Sequence, residues 1–398
     1  MPDLMIRGGV LWGRPEPYDL LVADGRIAAL GPEASAAAPD ADVVDAAGRL
    51  VLPGLVDAHC HLDKTLWGMP WVSHLAGDAL SDRIRHDRER RSALGVPDVG
   101  RMSDLLSTMS AYGTTAVRTH TDVDPDVGLR GVEAVVDVTE RMRGRVDVQQ
   151  VAFPQHGLLT RPGTADLLEA ATGLGVEVVG GIDPAGIDGD PVRHLNVVFG
   201  LADRHGLMVD IHLHDPGTLG AWELDLVLER TRALDLAGRV AVSHAYAFAE
   251  LDRARQERTA GAMAEAGVAL VTAAVYSFPV PPVRLMAEAG VTLACGHDGI
   301  RDLWGPYGTG DMLDRSMHLA YRSTFRRDDD IELALRAATI GGARLLGRPD
   351  PGWHIGAPGD LVIVDAGSAA QAVVERPRDR LVVKAGQVVA GGRSWTRP

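Results

Sequence analysis

The chain has 398 residues, 46% hydrophobic and 24% charged, with a formal net charge of -14. That length buries a sizeable core, and one barrel of about 250 residues with a smaller accessory unit accounts for it better than a string of modules. The acidic balance argues against nucleic acid and membrane partners, two cysteines give no disulfide framework, and no apolar run spans a bilayer, so a cytoplasmic protein is expected. The chain starts without a basic segment leading into an apolar run, and no leader is read there.

Short β segments are predicted at 4–8, 20–22, 26–30 and 43–45, separated by Gly, Pro and Asp turns. The Ala-rich stretch 33–38 fits a helical turn and a loop equally well, because Gly31-Pro32 and Pro39-Asp40 bracket it. Apolar strands then follow at 55–59, 116–120, 146–153, 176–182, 207–213, 240–244, 269–272 and 292–294. Helices at 165–173, 191–205, 222–234 and 252–266 fill most of the intervals. The arginine-rich stretch 83–91, interrupted by Asp87 and Glu89, reads as the solvated part of a helix.

Eight βα units predict an α/β fold with a closed (β/α)8 barrel, and the placing of polar residues favours closure over an open sheet. His59, His120, His212, His244 and Asp298 all fall near or just past the C-terminal end of a predicted strand, where a barrel gathers them at one cavity. β segments return at 360–364, 380–384 and 387–389. Each terminal fringe alone would leave an open sheet edge, so one small β domain built from both termini is expected. The division is 1–53 plus 355–398 for that domain and 54–354 for the barrel.

His59 and His61 flank Cys60. Residues two apart on a strand share a face, so both imidazoles point to one centre and Cys60 points away. A lone buried histidine is ordinarily a hydrogen-bonded core residue; a pair on one face, joined by more at other strand ends, predicts a metal site. Cys60 is expected to be a small buried hydrophobe. His212 and His214 repeat the alternation in Asp210-Ile211-His212-Leu213-His214-Asp215, where Asp215 fits a solvated cap and a proton carrier equally. His244 closes an apolar strand, and Asp298 adds a carboxylate to a mixed nitrogen and oxygen shell that suits zinc or iron. Neither Gly8-Gly9 nor Gly180-Gly181 has phosphate-loop spacing, so no organic cofactor is expected.

The run Pro53-Gly54-Leu55-Val56-Asp57-Ala58-His59-Cys60-His61-Leu62-Asp63-Lys64-Thr65 resembles the first-strand signature of the amidohydrolase superfamily, in its cytosine-deaminase-like branch. Further matches follow in order through residues 118–124, 151–155, 180–184, 210–212, 243–245 and 296–298 to Trp304, spanning nearly the whole barrel. The resemblance implies one divalent transition metal held by His59, His61, His212 and Asp298. It places His244 beside the activated water, Asp215 at the family's proton-shuttling glutamate, Gln155 as a substrate-binding amide and Trp304 as a pocket wall. His120 and His214 are carried as supporting residues around the ligands. No lysine stands where the two-metal relatives carry a bridging carbamate, which favours a single ion.

Two departures bear on substrate. Asp215 is one methylene shorter than glutamate, and Gly299 stands where cytosine deaminases carry a second aspartate facing the ring. Gly299 is expected to open space for a bulkier compound. The implied reaction is hydrolysis of a C–N bond in a cyclic amide, imide or amino-substituted heterocycle, by deamination or ring opening. A catalytically inactive protein that binds metal and heterocycle is the alternative, and cytosine deamination ranks below the first reading. The partner is a small-molecule heterocycle, and a homo-oligomer is compatible with the sequence.

Overall fold

Eight strands run parallel in chain order, each hydrogen-bonded to the next: Leu55–Cys60, Thr114–Asp122, Asp147–Phe153, Val178–Ile182, Met208–Leu213, Val240–His244, Val268–Thr272 and Leu293–Cys295. The structure, a computed structural model, describes residues 3–77 and 79–391. The eighth strand meets the first through a parallel bridge between Cys60 and Asp298, where the Asp298 amide donates to the His59 carbonyl at 2.8 Å. That link closes the barrel and sets Asp298 beside the His59–His61 pair.

The strands are almost wholly buried because helices cover them outside and side chains fill the lumen. Alternation decides which residue goes where. Val209, Ile211, Val242 and Leu270 turn out toward the helices, while Val56, Ala58, Ala116, Ala241, Ala269 and Ala294 turn in. These lumen residues are mostly small, and they leave room for Arg118 and Asp210, which pair at 2.9 Å with neither side chain exposed. Arg118→Met would leave Asp210 charged and uncompensated, so it is expected to cost ~3–5 kcal/mol of stability. Chemical unfolding checks this, and an unchanged midpoint would contradict it.

The helices are specified locally. In Pro191–His205, the Asp190 side chain accepts from the Arg193 amide, Pro191 occupies the first turn, and Gly206 ends the helix in the left-handed region. The stretch 83–91 lies on the helix Leu80–Arg90 and is solvated as expected except at Asp87 and Arg91, which turn inward, Arg91 pairing with Asp87 and with the buried Asp122.

The second sheet joins the two ends of the chain. Leu361–Val364 pairs antiparallel with Leu50–Pro53, which lies parallel to Leu4–Leu11. Pro17–Ala23 and Arg26–Leu30 extend one side, Asp42–Asp45 pairs with Leu4–Leu11, and Arg380–Lys384 and Gln387–Ala390 extend the other. The strand Leu50–Pro53 was not among the expected segments. All four of its residues are buried, so it shows no alternation, and only Gly54 separates it from the first barrel strand. Residues Ala34–Ala37 are helical, as is the unpredicted segment Ala369–Glu375. Among the described residues no helix is long and apolar enough to cross a membrane.

Candidate active site

Donor atoms of His59, His61 and His212 all lie within 4.8 Å of one another, and the same holds for His59, His244 and Asp298. Hydrogen bonds fix which nitrogens face the centre. His59 Nδ1 lies 3.0 Å from Ser243 Oγ, which donates to Asp210 at 2.7 Å, and the buried His59 Nε2 has no hydrogen-bond partner among the described residues. His61 donates its Nδ1–H to the His120 carbonyl at 3.0 Å, which turns Nε2 to within 3.2 Å of Asp298 Oδ1. His59 Nε2 is 3.7 Å from the same oxygen. Both nitrogens of His212 are buried and unpartnered, its ring stacked on Phe153 with centroids 4.0 Å apart.

A buried nitrogen left unpaired costs ~1–3 kcal/mol, so this cluster fits a cation that its lone pairs can bind. Burial and the neighbouring imidazoles hold His59 and His212 well below the usual histidine range, in the neutral form that ligates metals. Burial opposes ionisation of Asp298, yet His61 and the other imidazoles hold its carboxyl well below the usual range. Asp298 sits at φ +64° and His244 at +71°, left-handed conformations costing ~1–3 kcal/mol that persist only where the surroundings impose them.

Among the described residues two other groupings have metal-like spacing, His120–Asp210–His212 and Asp87–Asp122–His156. Each already contains a guanidinium: Arg118 on Asp210 at 2.9 Å, and Arg91 on Asp122 at 2.8 Å. An ion there would have to displace a buried arginine, whereas the groups His59–His61–His212 and His59–His244–Asp298 contain none. His120 stacks on His59 with centroids 4.0 Å apart. Cys60 points away from the centre and packs with Leu62, Leu105 and Val117.

On the proton-transfer side, the structure does not bring Asp215 into this cluster. Its Oδ2 accepts from the Gly186 amide at 2.7 Å, and its carboxylate lies beside Glu223, whose own pKa burial pushes up to about 8. His214 faces the site instead. Its Nδ1 pairs with Asp183 Oδ2 at 2.8 Å, and its ring stacks on His244 with centroids 4.5 Å apart. Burial disfavours the charged form of His214, but Asp183 outweighs it and raises the pKa. His244 goes the other way, lowered to about 3 by burial with the neighbouring His214, and its ring is neutral near pH 7.

On the substrate side, Lys64 is the residue that sequence reasoning passed over. It is buried, its ammonium donates to Gln155 Oε1 at 2.5 Å and pairs with Asp122 Oδ1 at 2.9 Å, and it lies 5.7 Å from the Trp304 ring centroid. Gln155 therefore has its oxygen occupied, and its NH₂ group is what it can offer a ligand. Gly299 does not leave the open space expected of it. An added Cβ there would stand 2.2 Å from Asp302 Oδ2, so a buried carboxylate already fills that volume.

The model of the Amidohydrolase family matches residues 42–390. The N-isopropylammelide isopropyl amidohydrolase of Pseudomonas sp. (strain ADP) is 30% identical, with 97% of each chain covered. This chain belongs to the amidohydrolase family. The crystal structure of N-isopropylammelide isopropylaminohydrolase from Burkholderia multivorans ATCC 17616 superposes on this amidohydrolase with a TM-score of 0.94, at 45% identity, covering 98% of this chain and 99% of that one. The 5-methylcytosine deaminase from Klebsiella pneumoniae, liganded with 5-fluorocytosine, gives a TM-score of 0.85 at 26% identity, with 98% of each chain covered.

A second cleft of this amidohydrolase lies between the barrel and the terminal sheet, lined by Asp147, Arg348, Asp360 and Lys384. Its charges satisfy one another, with Lys384 bridging Asp147 and Asp360 at 2.6 Å each, and it carries no histidine. The mouth of the barrel, with its unpaired imidazole nitrogens, is where chemistry is supported.

Proposed function

We propose that this amidohydrolase removes an alkylamino group from a small heterocycle, N-isopropylammelide or a close analogue, with one zinc or iron ion held by His59, His61, His212 and Asp298. The observation that supports it most is that the buried His59 Nε2 and both His212 nitrogens have no partner among the described residues, with Asp298 Oδ1 set 3.7 Å from His59 Nε2 and 3.2 Å from His61 Nε2. The whole-chain likeness to two N-isopropylammelide hydrolases adds the substrate.

When bound, the ion supplies a Lewis acid that lowers the pKa of water from about 15.7 to roughly 7. His214, oriented by Asp183, takes the proton lost as water attacks the ring carbon and returns it to the departing amine nitrogen. The neutral His244 donates to the oxygen on which negative charge develops. Lys64 and the Gln155 amide hold a ring carbonyl, and Trp304 forms the wall that keeps water from the face of the ring. Proton and amine balance: one water enters, one alkylamine leaves, and the ring is retained.

The test is incubation of metal-reconstituted protein with N-isopropylammelide, followed by mass spectrometry. Release of isopropylamine with the ring intact is expected. Addition of water without loss of nitrogen would instead mean ring opening, bound but unchanged compound would mean an inactive binder, and preferred turnover of cytosine would contradict the substrate assignment.

A further inference from the structure

Asp302 stands four residues beyond Asp298 and is 1% exposed. Its Oδ1 accepts from the amides of Trp304 and Gly305 at 2.8 and 3.0 Å, its own amide donates to the Gly305 carbonyl at 3.1 Å, and its carbonyl accepts from His74 Nε2 at 2.6 Å. Main chain and one carboxylate oxygen are thus pinned, and among the described residues no hydrogen bond engages Oδ2. That oxygen occupies the volume that any side chain at position 299 would claim, 2.2 Å from the ideal Cβ. Gly299 is therefore the condition that lets Asp302 take this pose.

Of the three N–H bonds of Lys64, one goes to Gln155 and at most one toward the ion-paired Asp122, which leaves at least one, and the Lys64 ammonium lies 5.7 Å from the centroid of the Trp304 ring, whose backbone amide Asp302 holds. Trp304 thus has a donor by its ring and the Asp302 carboxylate at its backbone amide. Burial pushes the Asp302 carboxyl up to about 6, with Lys64 and His61 acting in the opposite direction.

We infer that Asp302 Oδ2 is a specificity determinant that accepts a ring N–H of the substrate, while the free N–H of Lys64 donates to the adjacent ring carbonyl. The substrate class is then a heterocycle with a neighbouring carbonyl and ring N–H, the edge of a cyclic amide or imide. Rings methylated at that nitrogen are rejected, because a carboxylate held in place beside a methyl group is left without a partner. This rests on the mouth of the barrel being the place where the heterocycle binds.

The experiment measures binding of uracil and 1,3-dimethyluracil to the metal-reconstituted protein by calorimetry. The unmodified protein should prefer uracil by about tenfold or more, and in Asp302→Asn that preference should fall to within about threefold. Asparagine keeps an oxygen for the Trp304 and Gly305 amides but places a donor where the acceptor stood, so a merely structural role would leave the preference unmoved. Gly299→Ala should have the same effect, because its Cβ displaces Oδ2. Metal content should be unchanged in both variants. Preference retained in Asp302→Asn would be steric and would overturn the inference, as would an unmodified protein that binds both probes equally or neither. An Asp302-dependent preference without hydrolysis of N-isopropylammelide would sink the proposed reaction alone; hydrolysis without the preference would sink this inference alone.

Discussion

Replacing His61 by alanine is expected to abolish turnover and strip the metal from the protein while the barrel stays folded. The ring of His61 donates from Nδ1 to the His120 carbonyl, and its other nitrogen lies 3.2 Å from Asp298 Oδ1. Removing it deletes a ligand outright, and loss of even an outer partner of a ligand costs about 10- to 100-fold in affinity. The strand Leu55–Cys60 just before it is buried at every residue and hydrogen-bonded to Thr114–Asp122, with the bridge to Asp298 closing its other edge, none of which needs the imidazole. Elemental analysis should therefore find the ion nearly absent from the variant, with circular dichroism matching that of chelated unmodified protein. Full metal content, or a retained rate, would contradict the ligand role.

The second large effect is expected at His214. His214→Ala should lower the rate by roughly 10²- to 10⁴-fold with metal content preserved, whereas Asp215→Asn should stay within about tenfold. The contrast follows from where the two side chains lie. Asp183 holds His214 against His244, while Asp215 is bound to the Gly186 amide and lies against Glu223. Asparagine at 215 keeps an oxygen for Gly186, so little should change in the site. Steady-state kinetics on a confirmed substrate decides it, and a collapse of rate in Asp215→Asn with His214→Ala near normal would restore the proton-shuttle role to Asp215.

Strand periodicity already placed much of this. Two-residue alternation put His59 with His61 and His212 with His214 on shared faces, and polar residues at strand ends pointed to a closed barrel rather than an open sheet. The same alternation sends Asp215 the way of Leu213, away from the centre; likeness to a family glutamate pulled against that period, and in the structure the period prevails. What periodicity could not reach were contacts made across the fold. Lys64 sits beside an exposed-looking Asp63 in sequence, and only the closure of the barrel buries its ammonium between Gln155 and Asp122. Asp302 filling the volume of Gly299 depends on a loop conformation that no local pattern encodes. Likewise Leu50–Pro53 gains its strand partners from residues 4–11 and 361–364, at opposite ends of the chain.

The central claim is that one ion binds His59, His61, His212 and Asp298 at the mouth of the barrel. Anomalous diffraction from crystals of metal-reconstituted protein, recorded on both sides of the absorption edge of the added metal, tests it most directly. A single peak per chain within bonding distance of those four side chains is the expected result. A peak in the Asp87–Asp122–His156 cluster, two peaks at the barrel mouth, or none would contradict it.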